Sequence, residues 1–178
     1  MALCLPMRRH FKSCFPALNV RQLDETVATD TFYANATAHD GSTCAQIYVG
    51  LKSYFTTCMG MQTDAQFPET LLDFIRTFGA MSKLYSDNAK AEISHAVKDI
   101  LRLYHISAAQ SEPYYQNQNF AERRIQELKA MVTTMMDRTG TPAFLWLLCM
   151  TYCCFILNHL SHTRLNGRCP FEAAFGVT

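Results

Sequence analysis

No CxxC pair occurs in this 178-residue chain, although it holds eight cysteines. A structural zinc centre normally draws four ligands in tight pairs. Cys4, His10 and Cys14 offer only three with loose spacing, so a zinc module is set aside. A signal-peptide pattern is also missing at the start, and most cysteines sit inside apolar runs. They are expected to be reduced, buried thiols of an intracellular protein of the nucleus or cytoplasm. Charge of one sign is equally scarce: the net charge of +1 gives no global signal for nucleic acid, so any basic surface must be local. Long apolar runs are absent too. Phe144–Leu157 has 14 residues and includes Thr151 and Tyr152, whereas a bilayer span takes about 20. It is expected to be a core helix, with no membrane partner. Neither an internal repeat nor a low-complexity tract is found.

What is present points to a packed globule. A hydrophobic fraction of 49% and an aromatic fraction of 12% are too high for disorder, and the length suits one domain with a substantial core. Residues 1–24 carry Arg8, Arg9, His10 and Lys12 without a clear period and are expected to be a flanking segment. From residue 25 the texture changes. A strand is predicted near Val27–Ala34, then, after a turn at Asp40-Gly41, two more in "CAQIYVG" and "SYFTTCMGM". Helical spacing follows in "FPETLLDFIRTFGAM", with Leu71, Phe74, Ile75 and Phe78 on one face and Gly79 as the stop. A short strand "SKLYSD", a helix in "AKAEISHAVKDILRLYH" and a short strand "ISAAQ" come next. Two long helices, Asn119–Arg138 and Pro142–His159, complete the pattern, the second opened by its proline. Consecutive strands followed by alternation predict an α/β fold: a mixed five-stranded sheet, three antiparallel strands then two parallel, flanked by helices on both faces.

Three acids stand out by placement. Asp30 falls in the middle of the first strand, where Asp is depleted and a buried charge is costly unless paired or metal-bound. Asp87 ends the fourth strand, and ligand sites of open sheets commonly gather at such ends. Glu122 opens the long helix after an amide-rich loop. Asp87 taken alone is explained as a helix cap, and Glu122 as a first-turn acid favoured by the helix dipole. Asp30, between Thr29 and Thr31, has no such local role.

Taken together, "ATD", "SDNAKAE", "QNQNFAERR" and the tail "LNHLSHTRLNGRCPFEAAFG" resemble the integrase catalytic core of copia-type long-terminal-repeat retrotransposons, within the retroviral integrase superfamily. The resemblance covers roughly Asp24 to Thr178, with Pro170, Phe171, Glu172 and Gly176 in the family's last motif. Ala89 and Asn119 stand where the family usually has Gly, and "VGLKSY" lacks a pair of acids often seen there. The resemblance implies a ribonuclease-H-like fold over residues 25–178, expected to be truncated at the C-terminal end. It also implies metal-dependent DNA 3′-end processing and strand transfer, with Asp30, Asp87 and Glu122 as catalytic metal ligands. Two Mg²⁺ ions would serve, with Mn²⁺ as substitute, since hard cations suit converging carboxylates. Asp30 would bridge both ions, Asp87 would hold one and Glu122 the other.

On the helix opened by Glu122, a 100° step places Gln126 at about 40°, Lys129 at about 340° and Thr133 at about 20°. Ile125, Leu128, Val132, Met135 and Met136 fall between about 220° and 320°. The helix is thus expected to bury an aliphatic and Met face and to present a separate polar stripe. That stripe is either a solvated face or a DNA contact, Lys129 to phosphate and Gln126 to base or sugar. Arg123 and Arg124 lie off the line, open to solvent or phosphate. Gln116, Asn117 and Asn119 belong to a solvated loop or a flap touching the DNA end. The expected partners are DNA and further copies of the chain. A catalytically inactive nucleic-acid-binding remnant and a ribonuclease H are the competing readings.

Overall fold

The computed structural model describes residues 13–86, 94–110 and 118–176. Five strands form one sheet in the order β3-β2-β1-β4-β5. They are β1 (Gln22–Tyr33), β2 (Cys44–Gly50), β3 (Thr56–Met61), β4 (Ala80–Ser86) and β5 (Ser107–Gln110). The first three pair antiparallel, whereas β1–β4 and β4–β5 are parallel. This is the mixed sheet the sequence predicts. The first strand is longer than expected: it starts at Gln22, ahead of the composition change at residue 25, and ends at Tyr33 rather than Ala34. The third is shorter, because Ser53, Tyr54 and Phe55 belong to the turn after β2 and not to β3. Glu25 holds that turn through its carboxylate, which accepts from the backbone N–H groups of Lys52 and Ser53 and from the Ser53 hydroxyl.

One face of the sheet is covered by α1 (Phe67–Thr77) and α2 (His95–Leu103), the other by α3 (Gln118–Thr139) and α4 (Trp146–His159). Leu71, Phe74 and Ile75 are buried as their spacing requires. The α1 helix stops before Gly79, whose φ of +123° and approach to the Arg21 carbonyl suit glycine alone. Described from Ser94 onward, α2 has that residue as its cap, the hydroxyl accepting from Val97 N–H; the more N-terminal start expected for it lies outside the described residues.

Two corrections concern the last helices. Pro142 does not open α4; it leads a single 3₁₀ turn, Ala143–Leu145, and the α-helix starts at Trp146. Nor is α4 a core helix on all sides. Trp146, Met150, Cys153, Cys154 and Leu157 are buried, but Leu148, Tyr152 and Phe155 are more than half exposed. A short fifth helix, α5 (Pro170–Phe175), was not expected; Phe175 and Phe171 bring it against Phe55 and Phe78. The seven described cysteines are free thiols, as expected, yet Cys14 is exposed rather than buried. No single helix among the described residues is long and apolar enough to cross a membrane.

Candidate active site

Alternation along β1 decides where Asp30 points. Val27 enters the layer under α1 and α2, whereas Phe32 packs in the layer under α3 and α4. With a period of two, Asp30 shares the side of Phe32 and faces α3. The opposite side of the strand is locked by a polar trio. Buried Gln46 on β2 donates to Thr29 Oγ1 and accepts from Thr31 Oγ1, and Thr29 donates to the Ile47 carbonyl. Asp30 therefore projects from the middle strand of the sheet on a backbone fixed at both neighbours.

The helix opposite behaves as its period predicts. Ile125, Leu128 and Val132 are buried, Met135 and Met136 are partly so, and Glu122, Gln126 and Thr133 are exposed. The polar stripe lies toward Asp30. Lys129 Nζ stands 3.3 Å from Asp30 Oδ2 and 5.8 Å from the centre of the Phe32 ring. One turn earlier, Gln126 Nε2 donates to Glu122 Oε1 at 3.4 Å. Asp30 and Glu122 thus border one strip of surface, each carboxylate in contact with a side chain of the stripe. Asp87, Gln116 and Asn117 lie outside the described residues. The last described residue of β4, Ser86, immediately precedes Asp87, and the register places Tyr85 beside Ala28, two positions before Asp30. Asn119 belongs to the first turn of α3 rather than to a loop, since the helix begins at Gln118.

Arg124 is a correction. The sequence leaves it to solvent or phosphate, but it is buried. Its guanidinium donates to the Leu157 carbonyl at 3.1 Å, Thr56 Oγ1 at 3.4 Å and Glu127 Oε2 at 2.9 Å. Asn158 completes the tie by donating to the Thr56 carbonyl and accepting from its N–H. These bonds join α3 to α4 and β3, which sets the height of Glu122 and Lys129 above the sheet. Arg123, the neighbouring candidate for DNA, is exposed.

Among the described residues no three His, Cys, Asp or Glu side chains converge on a metal position. The donor chemistry nevertheless fits a hard cation. Asp30 and Glu122 are carboxylates, Asp30 keeps 44% of its side-chain surface open, and its oxygen already takes a cationic partner.

No protein-family profile and no curated protein matches the sequence. Among solved structures, the catalytic core domain of BIV integrase is similar at 17% identity with a TM-score of 0.68, covering 85% of this chain and 93% of that one. The HTLV-2 integrase catalytic core in complex with magnesium, in a trimeric form, is similar at 13% identity and a TM-score of 0.67, over 86% and 97%. A chain of the simian T-cell lymphotropic virus intasome in complex with PP2A regulatory subunit B56 gamma shares 15% identity and a TM-score of 0.70, over 88% and 57%. The fold is accordingly that of retroviral integrase catalytic cores.

Proposed function

We propose that this chain is the catalytic core of a copia-type retroelement integrase, which trims and joins DNA ends with divalent cations. The observation that carries the reading is Asp30, held in mid-strand on an integrase-core fold and turned toward the helix stripe that bears Glu122. Asp30 and Glu122, with Asp87, would hold the ions, Mg²⁺ or Mn²⁺. When bound, such ions activate the attacking oxygen and stabilise the leaving one. The chain's own groups bind and orient. Gln126 fixes one oxygen of Glu122, Lys129 lies beside Asp30, and Arg124 anchors the helix that carries all three. Arg123, exposed on the same helix, would meet the DNA end, as would Gln116, Asn117 and Asn119.

A strand-transfer assay in Mn²⁺ tests the reading with wild type, Asp30→Asn and Asp87→Ala. Joining by wild type and at least a hundredfold loss in both variants is expected. Equal joining by all three proteins defeats the metal triad, and no joining by wild type leaves the inactive nucleic-acid-binding module.

The exposed side of α4 supports self-association. Phe144, Leu148, Tyr152 and Phe155 are 49–57% exposed at helical spacing, and no charged side chain interrupts Trp146–His159. An uncharged apolar stripe is complementary to its own copy, and the HTLV-2 integrase catalytic core, which shares this fold, occurs in dimeric and trimeric forms.

A further inference from the structure

Lys129 occupies a place that the proposed chemistry leaves unexplained. Its ammonium sits between the Asp30 carboxylate and the face of Phe32, two surfaces that both favour a cation. The two partners differ in freedom. Asp30 is fixed by the Thr29–Gln46–Thr31 bonds on the other side of its strand, whereas Lys129 hangs on a flexible four-carbon stem. The Lys129 and Asp30 side chains are 36% and 44% exposed. A pair so open to water favours contact by at most about fivefold. That suffices to hold the lysine when nothing competes, and it yields to a doubly charged ion.

We infer that Lys129 is the resident counter-ion of Asp30, exchanged for a divalent cation when metal loads, and that the freed ammonium then becomes available to a DNA phosphate. The inference rests on Asp30 being a metal ligand, as proposed above, and adds an order of events to it. A cation on the Asp30 oxygen and an ammonium at its present distance repel one another, so the mobile group leaves. Metal loading thereby strengthens the hold on DNA through a side chain that is not a ligand. The stripe on α3 has two states: one folded inward on its acids, the other turned to the nucleic acid.

Lys129→Met tests this, since methionine keeps an apolar stem over Phe32 and removes the charge. Titration calorimetry with Mn²⁺ in the absence of DNA is expected to show about fivefold tighter binding by Lys129→Met than by wild type. DNA binding by fluorescence anisotropy against monovalent salt gives the second readout. Without divalent cation the two proteins should share one slope. With Ca²⁺, wild type should be steeper by about one phosphate contact. Equal or weaker Mn²⁺ binding by Lys129→Met, or slopes that differ equally with and without Ca²⁺, overturns the exchange. If wild type takes up no Mn²⁺, or Asp30→Asn binds it as well as wild type, the ligand assignment and the exchange fall together. If wild type binds, Asp30→Asn does not, and Lys129→Met matches wild type, the exchange alone falls.

Discussion

Alternate residues of β2 enter two differently built layers. Cys44 and Tyr48 meet the aromatic and aliphatic side chains of α1 and α2, while Ala45, Ile47 and Val49 meet α3 and α4. The first layer is closed by packing: the Tyr48 ring lies against Phe74 at 4.7 Å, and Phe74 against Phe78 at 5.2 Å, both pairs tilted. The second contains a buried guanidinium, a carboxylate facing a lysine, and a helix with one bare apolar side. Buried charge and open apolar surface are both costly for a fold that needs only to be stable. Their concentration on one face is what the proposed contacts with DNA and with further copies of the chain would use.

Phe74→Ala gives the largest expected effect, because it empties the centre of the closed layer. Its cost is about 4 kcal/mol, or roughly 12 °C in Tm. Below the melting range, Mn²⁺ affinity should match wild type; a parallel loss of Mn²⁺ affinity would show that the two layers are not separable. Arg124→Met is the counterpart on the other face. It leaves the Leu157 carbonyl and the Thr56 hydroxyl without their guanidinium donor, while half-exposed Glu127 regains water. About 2 kcal/mol should be lost. Mn²⁺ affinity should fall with it, because α3, which carries the proposed ligand Glu122, loses its tie to α4 and β3. A stable Arg124→Met protein with normal Mn²⁺ binding would make the tie merely structural.

The contrast between the layers also explains what was legible beforehand. The α1 helix and most of α3 followed from period alone, since each carries a clean apolar arc and a polar remainder. Asp30 was legible as a break in strand composition. Its partnership with Lys129 was not, because 99 residues separate them and only the fold brings them together. Arg124 gave a faint signal. At about 200° on the helical wheel it borders the buried arc, next to Met135 at about 220°. Its charge argued for solvent, and burial won because two acceptors came from distant elements, β3 and α4, and Glu127 on the same helix supplied a third. The open side of α4 could not be read, as a helix apolar on every side does not say which side is covered. The six residues of α5 are too few to show a period. Asp87 was singled out by its strand-end position, and no described geometry bears on it.

A smaller effect on stability is expected from Tyr152→Glu with Phe155→Glu, at surface positions already half in water. Stability should change by less than about 1 kcal/mol. Mass in solution is the decisive readout. Wild type should scatter light as a multiple of the 20.2 kDa chain, and the double variant as the single chain. Unchanged mass in the variant would remove α4 from the interface, and the open side would then need another occupant.

The smallest effect belongs to His162, which stacks on Tyr54 at 4.5 Å near the Arg124 tie. Its buried Nδ1 has no hydrogen-bond partner among the described residues. Burial, and then the charge of Arg124, hold its pKa below the ordinary 6.5. The folded protein therefore keeps the ring neutral where the unfolded chain would already bind a proton. Stability is intact above about pH 6.5 and is lost as pH falls from there through the folded pKa. His162→Phe retains the ring stack and cannot take a proton. Melting from pH 7.5 to 5.0 should show wild type losing a degree or two more than the variant. Equal losses would mean that the histidine is protonated at little cost beside Arg124, and that the second layer tolerates more positive charge than the buried Arg124 guanidinium suggests.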